Sequence, residues 1–381
     1  MPSSPLSSVS PTSGAVLTID LNALRANYRA LSNLAAGTEC AAVVKANAYG
    51  TGSMQTVRAL AREGCKTFFV ASFKEAEIVR GVAPDATIYV LDGLFDDSGP
   101  AFAAASIRPV LSSLDEVRHW SDFCRQAGMP LPAAIHVDTG LNRLGMPRIE
   151  AEELKGSPDL VKGFKLALLI SHLVCADEPE RPNNEAQLQA FEDYRAMLPA
   201  CPASLANSGG IHLGERYHFD LVRAGFSLYG GKAVAGRDPL SPVVQLHARI
   251  AQIRDARHGE TVGYGAAHML ERPTRIATLA LGYADGIFRC LGATHTTPGL
   301  TGYIDGHPAP ALGRISMDLI TLDVTDVPVE LARRGAWVEI IGEHVSVDEL
   351  AEQAGTIGYE VLTSLGTRAE RVYLDSQSGN G

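Results

Sequence analysis

The residue best placed for chemistry is Lys45, which directly follows the apolar run Ala41-Ala42-Val43-Val44. Such a run reads as a buried strand. The lysine would then project from the strand's C-terminal end, where parallel barrels gather their reactive groups. A partly desolvated barrel mouth lowers an amine's pKa, and a neutral amine can attack an aldehyde and hold it as a Schiff base. Taken alone, Lys45 reads more readily as a strand-end side chain reaching into solvent. Only the rest of the chain can decide between the two.

Placing Lys45 at a barrel mouth requires alternating strands and helices. From about residue 14 to 240, short apolar runs do alternate with amphipathic segments. Asp20 can cap a helix whose Leu21, Leu24, Tyr28 and Leu31 share one face. Strands are expected at 41–44, 67–71, 88–91, 134–137, 166–170 and 226–229, and helices over 54–64 and 184–198. Ser72-x-x-Glu75 and Ser113-x-x-Glu116 are capping boxes that open further helices. Repeated units of this kind predict a parallel sheet covered by helices. A count near eight favours a closed TIM-type (β/α)8 barrel over an open doubly wound sheet. No G-x-G-x-x-G follows the first strand, which argues against a dinucleotide fold.

After about Leu240 the texture changes. The stretches 243–253, 274–281, 315–324 and 337–341 are rich in Val, Ile, Thr and Leu, with Gly, Asp and Pro turns between them. One helix interrupts, opened by Ser346-x-x-Glu349. The expected organisation is therefore a disordered tail over 1–13, an α/β barrel over 14–240 and a mainly β C-terminal domain over 241–381.

Composition narrows the function. Of the 381 residues, 46% are hydrophobic and 20% charged, as in a soluble globular enzyme. A net charge of −10 argues against nucleic acid as the main partner. No apolar run reaches the length of a membrane span, and the Ser- and Pro-rich start does not read as a secretion signal. Six scattered cysteines without a C-x-x-C pair fit reduced cytoplasmic thiols rather than disulfides or a metal site.

Lys45 also keeps specific company. Val44-Lys45-Ala46-Asn47-Ala48-Tyr49-Gly50 resembles the cofactor-lysine signature of the alanine racemase family, fold-type III pyridoxal-phosphate enzymes. The likeness continues in the family's order. It runs through Asp138 to Gly145, Ser171-His172, Ala206-Asn207-Ser208, Val222 to Gly225 and Val262 to Gly265, then Gly282 to Gly286, Gly313 to Asp318 and Gly358 to Val361.

The resemblance implies that Lys45 carries pyridoxal 5'-phosphate and serves as one of two bases that interconvert L- and D-alanine. Tyr264 would be the other, on the opposite face of the substrate Cα, as racemisation requires. A phenol needs a partner to act as a base near neutrality; His172, linked through Arg223, fills that role in the family. Arg223 would face the ring nitrogen and keep it largely unprotonated, weakening the electron sink and limiting side reactions. Asn207, Ser208, Gly225 and Phe226 would hold the phosphate, with Tyr49 and Tyr359 beside it. Arg143 and the Met317 N–H would bind the substrate carboxylate. Tyr283 and Asp318 would line the pocket entry. The resemblance further implies a cytoplasmic homodimer, each active site completed by the other subunit's β domain.

Three positions depart from the pattern. His136 stands where many members carry a carbamylated lysine whose negative charge orients the arginine here numbered Arg143. A neutral His136 cannot supply that charge. Thr51 replaces the usual His, and Ala224 the usual Pro. Several readings stay open: a broader racemase acting on serine or basic amino acids, a decarboxylase of the same fold, or a non-catalytic pyridoxal-phosphate carrier, though carriers lack the second domain. Supply of D-alanine for peptidoglycan and alanine catabolism are not separable at this level.

Overall fold

The computed structural model describes residue 6 and residues 9–237 and 239–376. Two compact units emerge. Residues up to 23 and from 241 onward form one, and residues 24–240 form the other.

The strands are, in chain order, β1 (Ala15–Asp20), β2 (Glu39–Val43), β3 (Thr67–Val70), β4 (Thr87–Val90), β5 (Arg108–Leu111), β6 (Pro132–His136), β7 (Lys165–Ile170), β8 (Ala203–Ser204) and β9 (Leu221–Ala224). From β2 to β9 they form a parallel sheet in the order β8-β7-β6-β5-β4-β3-β2-β9. Its two ends meet. The N–H of Asp220 donates to the carbonyl of Ala203 at 3.0 Å, and that of Arg223 to Ala206 at 2.9 Å. This is the expected eight-stranded barrel. Helices cover the strands, so runs such as Phe68-Phe69-Val70 are fully buried. Each capping serine accepts the N–H predicted for it, Ser72 from Glu75 and Ser113 from Glu116.

Three barrel strands were not legible. β5 contains Pro109, which breaks a strand pattern. β8 is two residues long, and β9 carries a buried arginine in its centre. The strand expected at 226–229 is a 3-10 turn, Phe226–Tyr229, which follows β9 and ends at Gly230 with φ 81°.

The other unit is mainly β. Its remaining strands are β10 (Val244–Ala256), β11 (Thr261–Val262), β12 (His268–Met269), β13 (Thr274–Leu279), β14 (Thr301–Ile304), β15 (His307–Pro310), β16 (Ile320–Asp323), β17 (Trp337–Ile341) and β18 (Glu370–Leu374). The long β10 organises it, pairing antiparallel with β1, β13 and β17. β1 lies between β10 and β18, with Val16, Leu17 and Ile19 buried. It is therefore a strand of the β unit, not of the barrel where its position in the sequence had placed it. β16 is shorter than the expected 315–324, because Ser316 and Met317 pair instead with Tyr283 and Ala284. A second helix, Gly358–Ser364, follows the expected one at Val347–Ala354.

The tail expected over 1–13 lies partly outside the described residues, at 1–5 and 7–8. Residues 9–13, expected to be disordered, are held in place: the Ser10 N–H and the Ser13 hydroxyl donate to Glu370. Among the described residues, no helix is long and apolar enough to cross a membrane.

Leu17→Ala should destabilise the β unit by about 2–5 kcal/mol, as expected for emptying a buried leucine site. Denaturant unfolding checks this; unchanged stability would show that β1 is not a core strand.

Candidate active site

Lys45 opens a turn, Lys45–Tyr49, at the end of β2. The next four residues, Ala46, Asn47, Ala48 and Tyr49, all have φ of 53–54° and Gly50 has 78°. Left-handed backbone costs about 1–2 kcal/mol per non-glycine residue, so the turn needs support. Backbone bonds supply part of it, from Ala48 N–H to Val44 at 3.0 Å and from Gly52 N–H to Asn47 at 2.9 Å. The Asn47 carboxamide oxygen also accepts the Ser53 N–H at 2.9 Å. Burial, and secondarily Arg143, lowers the Lys45 amine below the usual lysine range; Asp92 and Glu75 oppose this.

Around Lys45 the barrel mouth collects further cations. Arg223, on β9, is buried. Its Nη1 donates to the Ser204 carbonyl and hydroxyl at 2.8 and 2.6 Å, and its Nη2 to the carbonyls of Ser171 and Leu205 at 2.5 and 3.3 Å. Those bonds use all four terminal N–H groups on neutral oxygens and leave Nε–H as the one donor without a partner among the described residues. Burial pulls the guanidinium down to about 10.

Both histidines at the mouth are consequently neutral. Burial and then Arg223 push His172 down to about 3, with Arg143, Lys45 and His136 adding to the effect. Burial and Arg223 lower His136 to about 4, against the pull of Asp138. The His136 Nδ1 lies 3.3 Å from the Ser112 hydroxyl.

Arg143 sits in a loop pinned by Asp138, whose Oδ1 accepts the N–H groups of Gly140, Leu141 and Asn142 at 2.9, 3.0 and 3.2 Å. The guanidinium is exposed and makes no hydrogen bond or ion pair with the described residues. This matches the missing charge at His136.

Another side of the mouth can take an anion. Asn207 caps the short helix Ser208–Ile211 by accepting the Gly210 N–H at 2.9 Å. Its carboxamide oxygen thus helps to position Ser208. The Ser208 hydroxyl accepts the Gly225 N–H at 2.8 Å and keeps its own proton to donate. A Cβ on Gly225 would lie 2.8 Å from the Tyr49 hydroxyl, so only glycine leaves that hydroxyl its place. Tyr49 stacks on Tyr229 with centroids 4.6 Å apart. Phe226 is buried next to Gly225. Lys45, Tyr49, Arg143, His172, Asn207, Ser208, Arg223, Gly225 and Phe226 all belong to the barrel unit.

Two supporting residues were not among the expected site residues. Gln187 donates to the Thr139 hydroxyl and the His172 carbonyl, both at 3.0 Å, tying together the Arg143 and His172 loops. No signal marked it, since it is one polar residue on a helix. Asp138 was findable, because Asp-x-Gly favours such a turn.

The remaining candidates lie in the β unit. Tyr264 stands at the tip of the β11–β12 hairpin and is 70% exposed. Gly263 and Gly265 flank it with φ of 79° and 74°. The segment Gly313-Arg314 lies flush against this hairpin: a Cβ on Gly313 would come within 2.5 Å of the Val262 carbonyl. Met317 is 54% exposed, and its N–H has no acceptor among the described residues. Its carbonyl accepts the Ala284 N–H at 2.9 Å. Asp318 pairs with Arg368 at 2.8 Å. Tyr283 and Tyr359 are both exposed. Among the described residues, no three His, Cys, Asp or Glu side chains gather as metal ligands do.

Residues 19–233 match the family profile described as "Alanine racemase, N-terminal domain", and residues 243–373 the one described as "Alanine racemase, C-terminal domain". The chain is 49% identical over 363 residues to an alanine racemase of a Methylobacterium strain, covering 95% of this chain and 98% of that one. It is 47% identical to a catabolic alanine racemase of Mesorhizobium japonicum, covering 95% and 93%. A crystal structure of alanine racemase from Bartonella henselae, with covalently bound pyridoxal phosphate, superimposes with a TM-score of 0.91. That protein is 40% identical, with coverage of 96% of this chain and 100% of the other.

The two neutral histidines predict a pH dependence. Their folded pKa values, about 3 and 4, lie below the ordinary histidine value near 6.5. The unfolded chain therefore binds more protons through this window. Stability should be fully present above about pH 6.5 and fall as the pH drops toward 4. Urea unfolding of wild type and His172→Gln across that range checks it. The variant should show a shallower slope, and equal slopes would contradict the assignment.

Proposed function

The chain belongs to the alanine racemase family, and from that premise we propose that it interconverts L- and D-alanine with pyridoxal 5'-phosphate held at Lys45. The observation that carries this reading is Lys45 itself, an amine at a barrel strand's C-terminal end whose hold on its proton is weakened by burial and by Arg143. The surrounding residues fit the cofactor. Ser208 and Tyr49 lie with Gly225 and Phe226 in a cradle where the Ser208 hydroxyl can donate to a phosphate, and Gly225 leaves room that a Cβ would fill. Arg223 Nε–H is the donor left for the ring nitrogen.

When bound, pyridoxal phosphate supplies an electron sink that makes the substrate Cα–H acidic. The protein does the rest. Lys45 removes or returns the Cα proton on one face, and Tyr264 does so on the other. A neutral His172 accepts a hydrogen bond without adding a cation to the site, and helps the phenol exchange its proton. Arg143 and the free N–H of Met317 bind the substrate carboxylate, while Tyr283 and Asp318 border the entry. Tyr359 stands on the phosphate side.

Tyr264, Tyr283, Met317 and Tyr359 are exposed side chains of the β unit, unusual for residues of their size. That exposure supports a homodimer in which the β unit of each protomer completes the barrel site of its partner. Six unpaired cysteines support a cytoplasmic location, where thiols stay reduced.

In deuterium oxide, L-alanine should be converted to D-alanine labelled at Cα. Lys45→Ala should abolish the conversion. Tyr264→Phe should lower kcat by about 10²–10⁴-fold, the range for a lost acid–base group. The two directions should differ in isotope washout, since one face keeps its base. Wild-type exchange in either variant would overturn the pairing.

A further inference from the structure

We propose that Glu75 is a positioning residue for Lys45, clamping the left-handed turn that presents the amine. The proposal rests on the reading of Lys45 as the cofactor lysine. Glu75 entered the sequence only as half of a capping box, with Ser72, and the structure confirms that cap. One carboxylate oxygen, Oε2, accepts the N–H groups of Ala71 and Ser72 at 2.9 and 3.3 Å. The other, Oε1, reaches back to the neighbouring strand and accepts the Ala46 N–H at 2.7 Å.

That second bond fixes the peptide leaving Lys45, at the point where the chain enters four successive left-handed residues. Left-handed backbone is unfavourable for non-glycine residues, and the turn's own backbone bonds begin only at Ala48. The Ala46 N–H is the first polar group of the turn, and a charged acceptor is the strongest available partner for it. One side chain thus joins the start of the helix after β3 to the turn after β2, and sets the backbone from which the amine extends. The carboxylate also favours the protonated amine, with Asp92, against burial and Arg143.

Glutamine preserves the size but cannot bridge both sets of donors, since its NH2 end would face N–H groups. Glu75→Gln, reconstituted with pyridoxal phosphate and followed by the cofactor's absorbance, should raise the apparent Kd at least tenfold. The pH midpoint of covalent attachment should shift downward. Ser72→Ala serves as the control: it loses the helix cap, lowering thermal stability, but should bind cofactor with wild-type affinity and midpoint. The inference is overturned if Glu75→Gln binds as wild type does, or if Ser72→Ala reproduces its losses. Failure of the wild-type chain to take up pyridoxal phosphate would remove the reading of Lys45 itself, and this inference with it.

Discussion

An amine that must attack a carbonyl has to be held where its proton is weakly bound, and protein interiors do this by withdrawing water. At the mouth of this barrel, burial lowers the Lys45 amine, and a nearby arginine adds to the effect. The same withdrawal of water acts on everything adjacent. It keeps His136 and His172 neutral and brings even Arg223 down to about 10. A site crowded with three basic side chains is tolerable only because the histidines do not add two more charges. The buried guanidinium is satisfied by carbonyl and hydroxyl oxygens. An anionic cofactor and a carboxylate substrate are the natural complement of such a surface.

Holding Lys45 there makes demands on the backbone. The strand delivers it, but the chain leaves through a left-handed turn with no glycine until residue 50. Bonds from outside the turn keep it in place, and Glu75 is the charged one among them. On the β unit the same economy of space recurs in another form. Glycines at 263, 265 and 313 let the Tyr264 hairpin and the Gly313-Arg314 segment lie in contact, so that the tyrosine stands clear at the tip.

Much of this was legible because periodicity and capping residues report directly on local structure. The barrel, the Ser72 and Ser113 caps and the change to β texture after Leu240 could all be read from single segments. What could not be read depended on partners distant in sequence. β1 resembles a first barrel strand locally, yet pairs with β10 and β18, whose partner residues lie more than 200 and more than 350 positions away. β9 was hidden because its arginine is buried, a cost that only Ser171, Ser204 and Leu205 make bearable. The Asn207 side chain was given no role of its own, yet it caps the turn beneath Ser208. The lysine motif announced the chemistry, but nothing local announced Gln187 or the second use of Glu75.

The central claim is that Lys45 and Tyr264 act as one catalytic pair contributed by different protomers. Mixing inactive Lys45→Ala chains with inactive Tyr264→Phe chains, after unfolding and refolding together, tests it most directly. In a shared-site dimer half the molecules are hybrids, and each hybrid has one intact site, so activity should return to about a quarter of wild type. No recovery in a mixture shown to contain hybrids would contradict the claim.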